Sequence, residues 1–265
     1  MNIIRFIDEH GKEHLGTESS YNQATVFSGD LFGNLTNTGK TTNINSYVAP
    51  LDPKAILCIG LNYKAHAKET GMRLPEYPVL FMKNVAAVTG HQSNIVIPEC
   101  CKSPYQVDYE AELAVIISKE AKNVKAKNAF DYILGYTIAN DVSARTWQIT
   151  GGGKQWVRGK SFDTFCPLGP AIITADEGIN PDNLNISLKL NGKIMQESNT
   201  SDLIFSVSQL IEFLSEDTTL LPGTVILTGT PSGVGFSRKP PVFLKEGDVI
   251  ETKIEKIGTL MNGVE

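Results

Sequence analysis

Short apolar runs separated by Gly, Pro, Asn and Asp dominate the chain. AILCIGL (55–61), VLFMK (79–83), NIVI (94–97), LGYTIAN (134–140), PAIIT (170–174), ISLKLNG (186–192), GTVILTG (223–229) and DVIETKIEKI (248–257) have the length and composition of strands. Fewer segments carry helical spacing. NYKAHAKETG (62–71) predicts a turn or two of helix, with Asn62 as N-cap and Gly71 as its stop. NVKAKNAFDYI (123–133) and DVSARTWQ (141–148) are helix-like. DLIFSVSQLIEFLS (202–215) spaces its apolar residues as an amphipathic helix that packs on a core. Strands outnumber helices and do not alternate regularly with them. This disfavours a doubly wound sheet or an eight-stranded α/β barrel and predicts an α+β, mainly β architecture. Residues 1–50 differ: IIRFI (3–7) is strand-like, and Asn, Thr, Gly and Ser follow in abundance. They predict a small N-terminal β-rich segment ahead of a larger unit over 51–265. Gly151-Gly152-Gly153 marks a flexible loop.

The segment Val107 to Ile117, VDYEAELAVII, breaks the pattern most informatively. It ends as an unbroken apolar run but carries Glu110 and Glu112 two positions apart. A strand repeats its side-chain direction every two residues, so the two carboxylates point the same way, roughly 6.5–7 Å apart. They share that face with Ala114 and Ile116, which belong to the core. Buried like charges need a counter-ion, and oxygen ligands favour a hard cation such as Mg²⁺, Mn²⁺ or Ca²⁺. A strand that starts in solvent before turning inward accounts for the same residues. Asp141 follows the strand-like LGYTIAN, where a third carboxylate could join the first two, or simply cap a helix.

Other polar residues have two readings each. His66 and Glu69, spaced i,i+3, share a helical face as a general-base pair would, or stand on a solvated turn. Lys160, in the turn-rich RGKSFDTFCPLGP, could neutralise a carboxylate or a developing enolate. Arg145, four residues after Asp141, could clamp a substrate carboxylate, with Gln148 beside it. GTPSGVG (229–235) has neither the GK[ST] of a phosphate loop nor GxGxxG. It predicts a tight turn whose backbone approaches a ligand, with Thr230 as the side-chain contact. His10, His14 and His91 have no such partner and are expected at the surface.

Composition narrows the classes. The 265 residues are 41% hydrophobic and 20% charged with net charge −5, an ordinary globular balance without a basic run, which argues against nucleic acid as partner. The apolar runs are too short to span a bilayer. Four cysteines without a CxxC pair form neither a disulfide framework nor a zinc set. A cytoplasmic protein is expected, or one of an organellar matrix if a targeting segment was removed.

GLNYKAHAKE, VDYEAELAVII, GYTIANDVSAR, KQWVRGKSFDTFCPLGP, LPGTVILTGTPSGVG and EGDVIETKIEKIGTL, in this order, resemble the fumarylacetoacetate hydrolase family from about Leu57 to Asn262. The residue types resemble its small members that act on 2-oxo acids. The resemblance implies a mixed β-roll or β-sandwich core with a few flanking helices, usually in a homodimer, and Mg²⁺ or Mn²⁺ held by Glu110, Glu112 and Asp141. It also implies His66 and Glu69 as a water-activating dyad on a lid, Lys160 as stabiliser of an anionic intermediate, and Arg145, Gln148 and Thr230 around a small 2-oxo acid substrate. The leading expectation is hydrolytic C–C cleavage of a 2-oxo or 2,4-dioxo acid. Oxaloacetate decarboxylation or keto–enol tautomerisation would use the same electron sink. A divalent-cation-binding protein without turnover is the alternative of another class, and a β-protein with no site a third. Leu61 departs from many relatives, which carry a basic residue there, and this removes a possible contact to a substrate carboxylate.

Overall fold

A computed structural model describes residues 1–151 and 153–265, so Gly152 of the glycine triplet lies outside the described residues. The chain opens with β1 (Asn2–Asp8), β2 (Glu13–Ser20), β3 (Gln23–Gly29) and β4 (Leu35–Tyr47). Each pairs antiparallel with the next, and β4 pairs back onto β1, so the four close into a ring. Ile4, Phe6, Ala24 and Ile44 fill the interior of this ring.

The main sheet then assembles from β5 (Ala55–Gly60), β6 (Val79–Lys83), the two-residue β7 (Val88–Thr89), β9 (Ala111–Ile117), β10 (Ile133–Asn140), β12 (Cys166–Thr174) and β15 (Thr224–Leu227). The short β8 (Val107–Asp108) and β11 (Ser143–Ala144) pair with each other beside it. Across the main sheet the order runs β12-β10-β9-β15-β5-β6, and β1 joins it through β12, with Asn2 opposite Ile173. The pair β15–β5 is parallel and β9–β10 antiparallel. A second antiparallel sheet contains β13 (Asn185–Leu190), β14 (Lys193–Asn199), β16 (Val249–Ile254) and β17 (Gly258–Gly263) in the order β14-β13-β16-β17. It packs on β9, β10 and β12. Every residue of β9 is buried, which explains why its apolar run does not alternate. The α+β, mainly β class expected from the sequence is the class observed.

Helices are short and flank the sheets. They are α1 (Lys64–Thr70), α2 (Trp156–Lys160) and α3 (Val207–Ser215). Helix α3 begins later than expected, because Ser206 forms a capping box with Gln209 and fixes the start there. The stretch 123–133 forms only a 3₁₀ turn over Ala126–Tyr132. NIVI contributes a single bridge, Ile95 to Val264. The predicted helix at 141–148 is absent. Ser143 and Ala144 pair with β8, and the chain then winds through one π-helical turn, Thr146–Thr150.

A candidate metal centre and active site

Glu110, Glu112 and Asp141 converge, each offering a carboxylate oxygen within 4.8 Å of the others. Glu112 sits on β9, opposite Ala139 of β10, and Glu110 lies in the break between β8 and β9. Asp141 directly follows β10, which ends at Asn140, and its amide donates to the Glu110 carbonyl at 2.9 Å. That backbone bond, with the Glu110 amide donating to Asn140 Oδ1 at 2.9 Å, sets the two strand ends side by side. Asp141 therefore caps no helix. It is fully buried and turned toward the glutamates.

Lysines meet the triad from two directions. Lys160 Nζ, at the end of α2, donates to Glu110 Oε2 (2.9 Å), Asp141 Oδ2 (2.6 Å) and Ser143 Oγ (2.7 Å). Lys83 Nζ, at the end of β6, donates to Asp141 Oδ1 (2.5 Å) and the Val142 carbonyl (3.1 Å). Arg145 Nη1 lies 2.7 Å from Glu110 Oε1. Burial opposes ionisation of Glu110, but Lys160 and Arg145 override it and hold its carboxyl down at about 2. Glu112 differs. Burial, then Asp141 and Glu110, push its carboxyl well above the ordinary range, and its donor is the Gly229 amide at 2.7 Å.

Four buried carboxylates (Asp108, Glu110, Glu112, Asp141) thus face three buried cations (Lys83, Arg145, Lys160). Glu112 is the acid that the lysines and the arginine leave unpaired. An all-oxygen set with excess negative charge fits a hard divalent cation.

The sequence-predicted arginine clamp takes a different form. Arg145 Nε donates to Asp108 Oδ2 at 2.8 Å, and Nη1 donates to Gln148 Oε1 at 2.8 Å. With Nη1 also beside Glu110 and Nη2 2.8 Å from Asp108 Oδ2, the guanidinium is held by acidic partners, but the buried Nη2 makes no hydrogen bond among the described residues. Arg145 and Asp141 do not share a helical face, because no helix joins them. Arg145, Gln148 and Thr230 nonetheless border one cavity of about 520 Å³ with Glu110, Glu112, Lys160 and His66. The remaining wall is largely apolar and includes Leu61, Phe81, Trp156 and Phe236. Leu61 itself has a left-handed backbone, φ 50°.

Helix α1 presents His66 to this cavity. Asn62 does not cap it. The Asn62 side chain instead donates to the Phe205 and Thr228 carbonyls, and Asp202 Oδ2 accepts from the Ala65 amide in its place. Gly71 ends the helix in the left-handed region, as its position predicted. His66 Nδ1 is 3.1 Å from Glu69 Oε2, and Glu69 also accepts from the Gly233 amide at 3.0 Å. Burial raises the Glu69 carboxyl, but bonds from His66, Ser237 and Gly233 bring it below its ordinary value.

GTPSGVG is the loop that binds these parts together. Its backbone approaches carboxylates of the protein: Gly229 N–H serves Glu112, Gly233 N–H serves Glu69 and Gly235 N–H serves Asp108 at 2.8 Å. The glycines are required by space. A Cβ on Gly229 would lie 2.7 Å from Asn62 Cβ, and one on Gly235 would lie 1.9 Å from the Val242 carbonyl oxygen.

Sequence reasoning missed three buried polar residues at this site. Asp108 continues the two-residue spacing of Glu110 and Glu112, a signal that was present. Lys83 ends an apolar strand like any solvated lysine, and Gln196 lies in an ordinary amphipathic strand. Neither carries a local signal. Away from the site, His14 is half-buried against Asp8 at 2.8 Å, and His91 Nδ1 accepts from the Met261 amide. Both have partners, contrary to the surface positions expected.

The profile described as Fumarylacetoacetate (FAA) hydrolase C-terminal matches residues 55–265. The chain belongs to the fumarylacetoacetate hydrolase family. It is 46% identical over 220 residues to oxaloacetate tautomerase FAHD2A, mitochondrial, of Bos taurus, covering 83% of this chain and 69% of that protein. It is 48% identical over 220 residues to oxaloacetate tautomerase fahd2, mitochondrial, of Xenopus laevis, covering 83% and 68%. Among solved structures it is similar to 5-carboxymethyl-2-hydroxymuconate delta-isomerase from Mycobacterium smegmatis, with TM-score 0.85, 37% identity and coverage of 100% and 99%. The chain is an enzyme of the fumarylacetoacetate hydrolase family, which acts on oxo acids. Among the described residues, no helix is long and apolar enough to cross a membrane.

Proposed function

We propose that this chain is a divalent-metal-dependent enzyme that interconverts the keto and enol forms of a 2-oxo acid of the oxaloacetate type. The observation that carries it is a buried carboxylate triad and a buried lysine facing a His–Glu pair across one cavity, in a chain 46–48% identical to oxaloacetate tautomerases. Mg²⁺ or Mn²⁺ held by Glu110, Glu112 and Asp141 would polarise the 2-oxo group as a Lewis acid. Lys160, whose three N–H groups are taken by Glu110, Asp141 and Ser143, stabilises negative charge on the enolate oxygen through its fixed positive charge, which needs no reorganisation in a buried site. His66, with Nδ1 bonded to Glu69, takes the C3 proton at Nε2 and returns it to the C2 oxygen to give the enol, and runs the same transfer backwards to give the keto form. Arg145, Gln148 and Thr230 hold the carboxylate end of the substrate.

Hydrolytic C–C cleavage, the reaction expected first from the sequence, is the second reading. The His66–Glu69 pair favours it, because the same imidazole could take a proton from water. Decarboxylation would use the same sink without that water. The catalytic unit is proposed as residues 51–265, with 1–50 as an appended β segment and a homodimer as the assembly. The mitochondrial relatives support a matrix location as the alternative to cytoplasm.

The test follows the ultraviolet absorbance of enol-oxaloacetate with Mg²⁺ and with EDTA, beside acylpyruvate cleavage. Accelerated enol decay that EDTA abolishes supports the tautomerase, with a loss of roughly 10²–10⁴ in His66→Ala. Acylpyruvate cleavage without enol acceleration would replace it by the hydrolase, and turnover of neither by a cation-binding protein.

A further inference from the structure

Gln196 comes from β14, in the second sheet, yet it reaches the site and is 1% exposed. Its side-chain orientation follows from its partners alone. Oε1 lies 2.9 Å from the Ala111 amide, which can only donate. Nε2 lies 2.8 Å from the Pro231 carbonyl, which can only accept. Exchanging the two ends would set donor against donor and acceptor against acceptor, so the amide is locked. Nε2 has a second hydrogen, and at 2.8 Å it meets Thr230 Oγ1. Since Nε2 cannot accept, the Thr230 hydroxyl must be the acceptor in that bond.

This fixes what Thr230 can do with its own proton. Among the described residues Thr230 Oγ1 has no other hydrogen-bond partner, and the residue is buried on the wall of the cavity. We infer that Gln196 is a positioning residue that makes Thr230 a donor toward the cavity, aimed at an anionic oxygen of the ligand. Through Ala111, which stands between Glu110 and Glu112, the same amide ties that donor to the backbone carrying both carboxylates. The inference rests on the proposed binding of a 2-oxo acid at this cavity. It does not depend on which reaction follows.

The test is a double-mutant cycle between Gln196 and Thr230, read as oxalate affinity by calorimetry in Mg²⁺ and as kcat/KM on enol-oxaloacetate. Thr230→Val removes the donor. Gln196→Glu keeps the acceptor for Ala111 but turns Thr230 Oγ–H back onto its carboxylate. Each should weaken oxalate binding by roughly ten- to a hundredfold, the worth of a hydrogen bond to a charged group. The double variant should be no weaker than Thr230→Val alone, because both changes remove one interaction. Thr230→Ser, which restores the hydroxyl, should recover most of the affinity that Thr230→Val loses. If Gln196→Glu does not fold, Gln196→Met takes its place in the cycle. Losses that multiply, or a Gln196 variant with wild-type oxalate affinity beside a crippled Thr230→Val, overturn the inference. Non-additive loss of oxalate binding in a protein without tautomerase activity keeps the inference and removes the proposed reaction.

Discussion

Lys83 and Asp141 form an ion pair, Nζ to Oδ1 at 2.5 Å, and neither side chain reaches solvent. Lys83 ends the outermost strand of the main sheet and holds Asp141 on the oxygen that Lys160 does not use. Breaking one partner of a buried pair leaves an uncompensated charge, which costs about 3–5 kcal/mol. Lys83→Met should lose that much unfolding free energy in urea with EDTA present. A loss below about 1 kcal/mol, the scale of an exposed pair, would show that Lys160 alone neutralises Asp141.

Glu112 predicts effects of opposite sign on stability and on metal binding. Its ionised form is disfavoured by burial and by Asp141 and Glu110. Glu112→Gln keeps an acceptor for the Gly229 amide and removes the charge. In EDTA its melting temperature should equal or exceed that of the wild type. Its Mn²⁺ affinity, measured by electron paramagnetic resonance, should fall by more than the roughly 10–100-fold that loss of a residue orienting a ligand costs. Wild-type Mn²⁺ affinity would remove Glu112 from the ligand set.

Glu69 serves two donors, His66 Nδ1–H and the Gly233 amide, with its two oxygens. Glu69→Gln has one oxygen for both. It should lower kcat by less than the roughly 10²–10⁴ lost with His66, while the Mg²⁺-induced rise in melting temperature stays unchanged. A variant that loses the Mg²⁺ response would place Glu69 with the triad.

Asp8 governs acid sensitivity in the N-terminal ring. Amides of Lys12 and His10 and the His14 ring hold its carboxyl down at about 2, against burial, from an ordinary value of 3.8. A depressed carboxyl stabilises the fold above its unfolded value, and that contribution is lost as pH falls through the folded one. Wild-type stability should therefore drop between about pH 4 and pH 2 more steeply than that of Asp8→Asn, as followed by circular dichroism. Parallel acid transitions would mean that Asp8 keeps an ordinary carboxyl.

Much of the candidate site was readable because its residues carry a local signal. Glu110 and Glu112 interrupt an apolar strand, His66 and Glu69 share a helical face, and Gly229 to Gly235 crowd one turn. The strand-dominated class followed from the same periodicities. What escaped was set by partners distant in sequence. Lys83 is 58 residues from Asp141, and Gln196 is 85 from Ala111. Neither residue differs locally from a solvated lysine or a strand glutamine. Asn62 suits an N-cap by type but does not act as one. Tertiary partners, Phe205 and Thr228, claim it instead. The helix expected after Asp141 lost to β8, which pairs with Ser143 and Ala144.

The ring β1–β4 also shields β12. Asn2 and Ile3 pair with Ile173 and Ile172, and the Thr174 amide donates to the Met1 carbonyl. A chain cut at residue 51 would bare those backbone groups along an apolar margin of the sheet, a ready template for another copy's strand. Trimming the first fifty residues to isolate the proposed catalytic unit would therefore trade a modest segment for a sticky, self-associating protein.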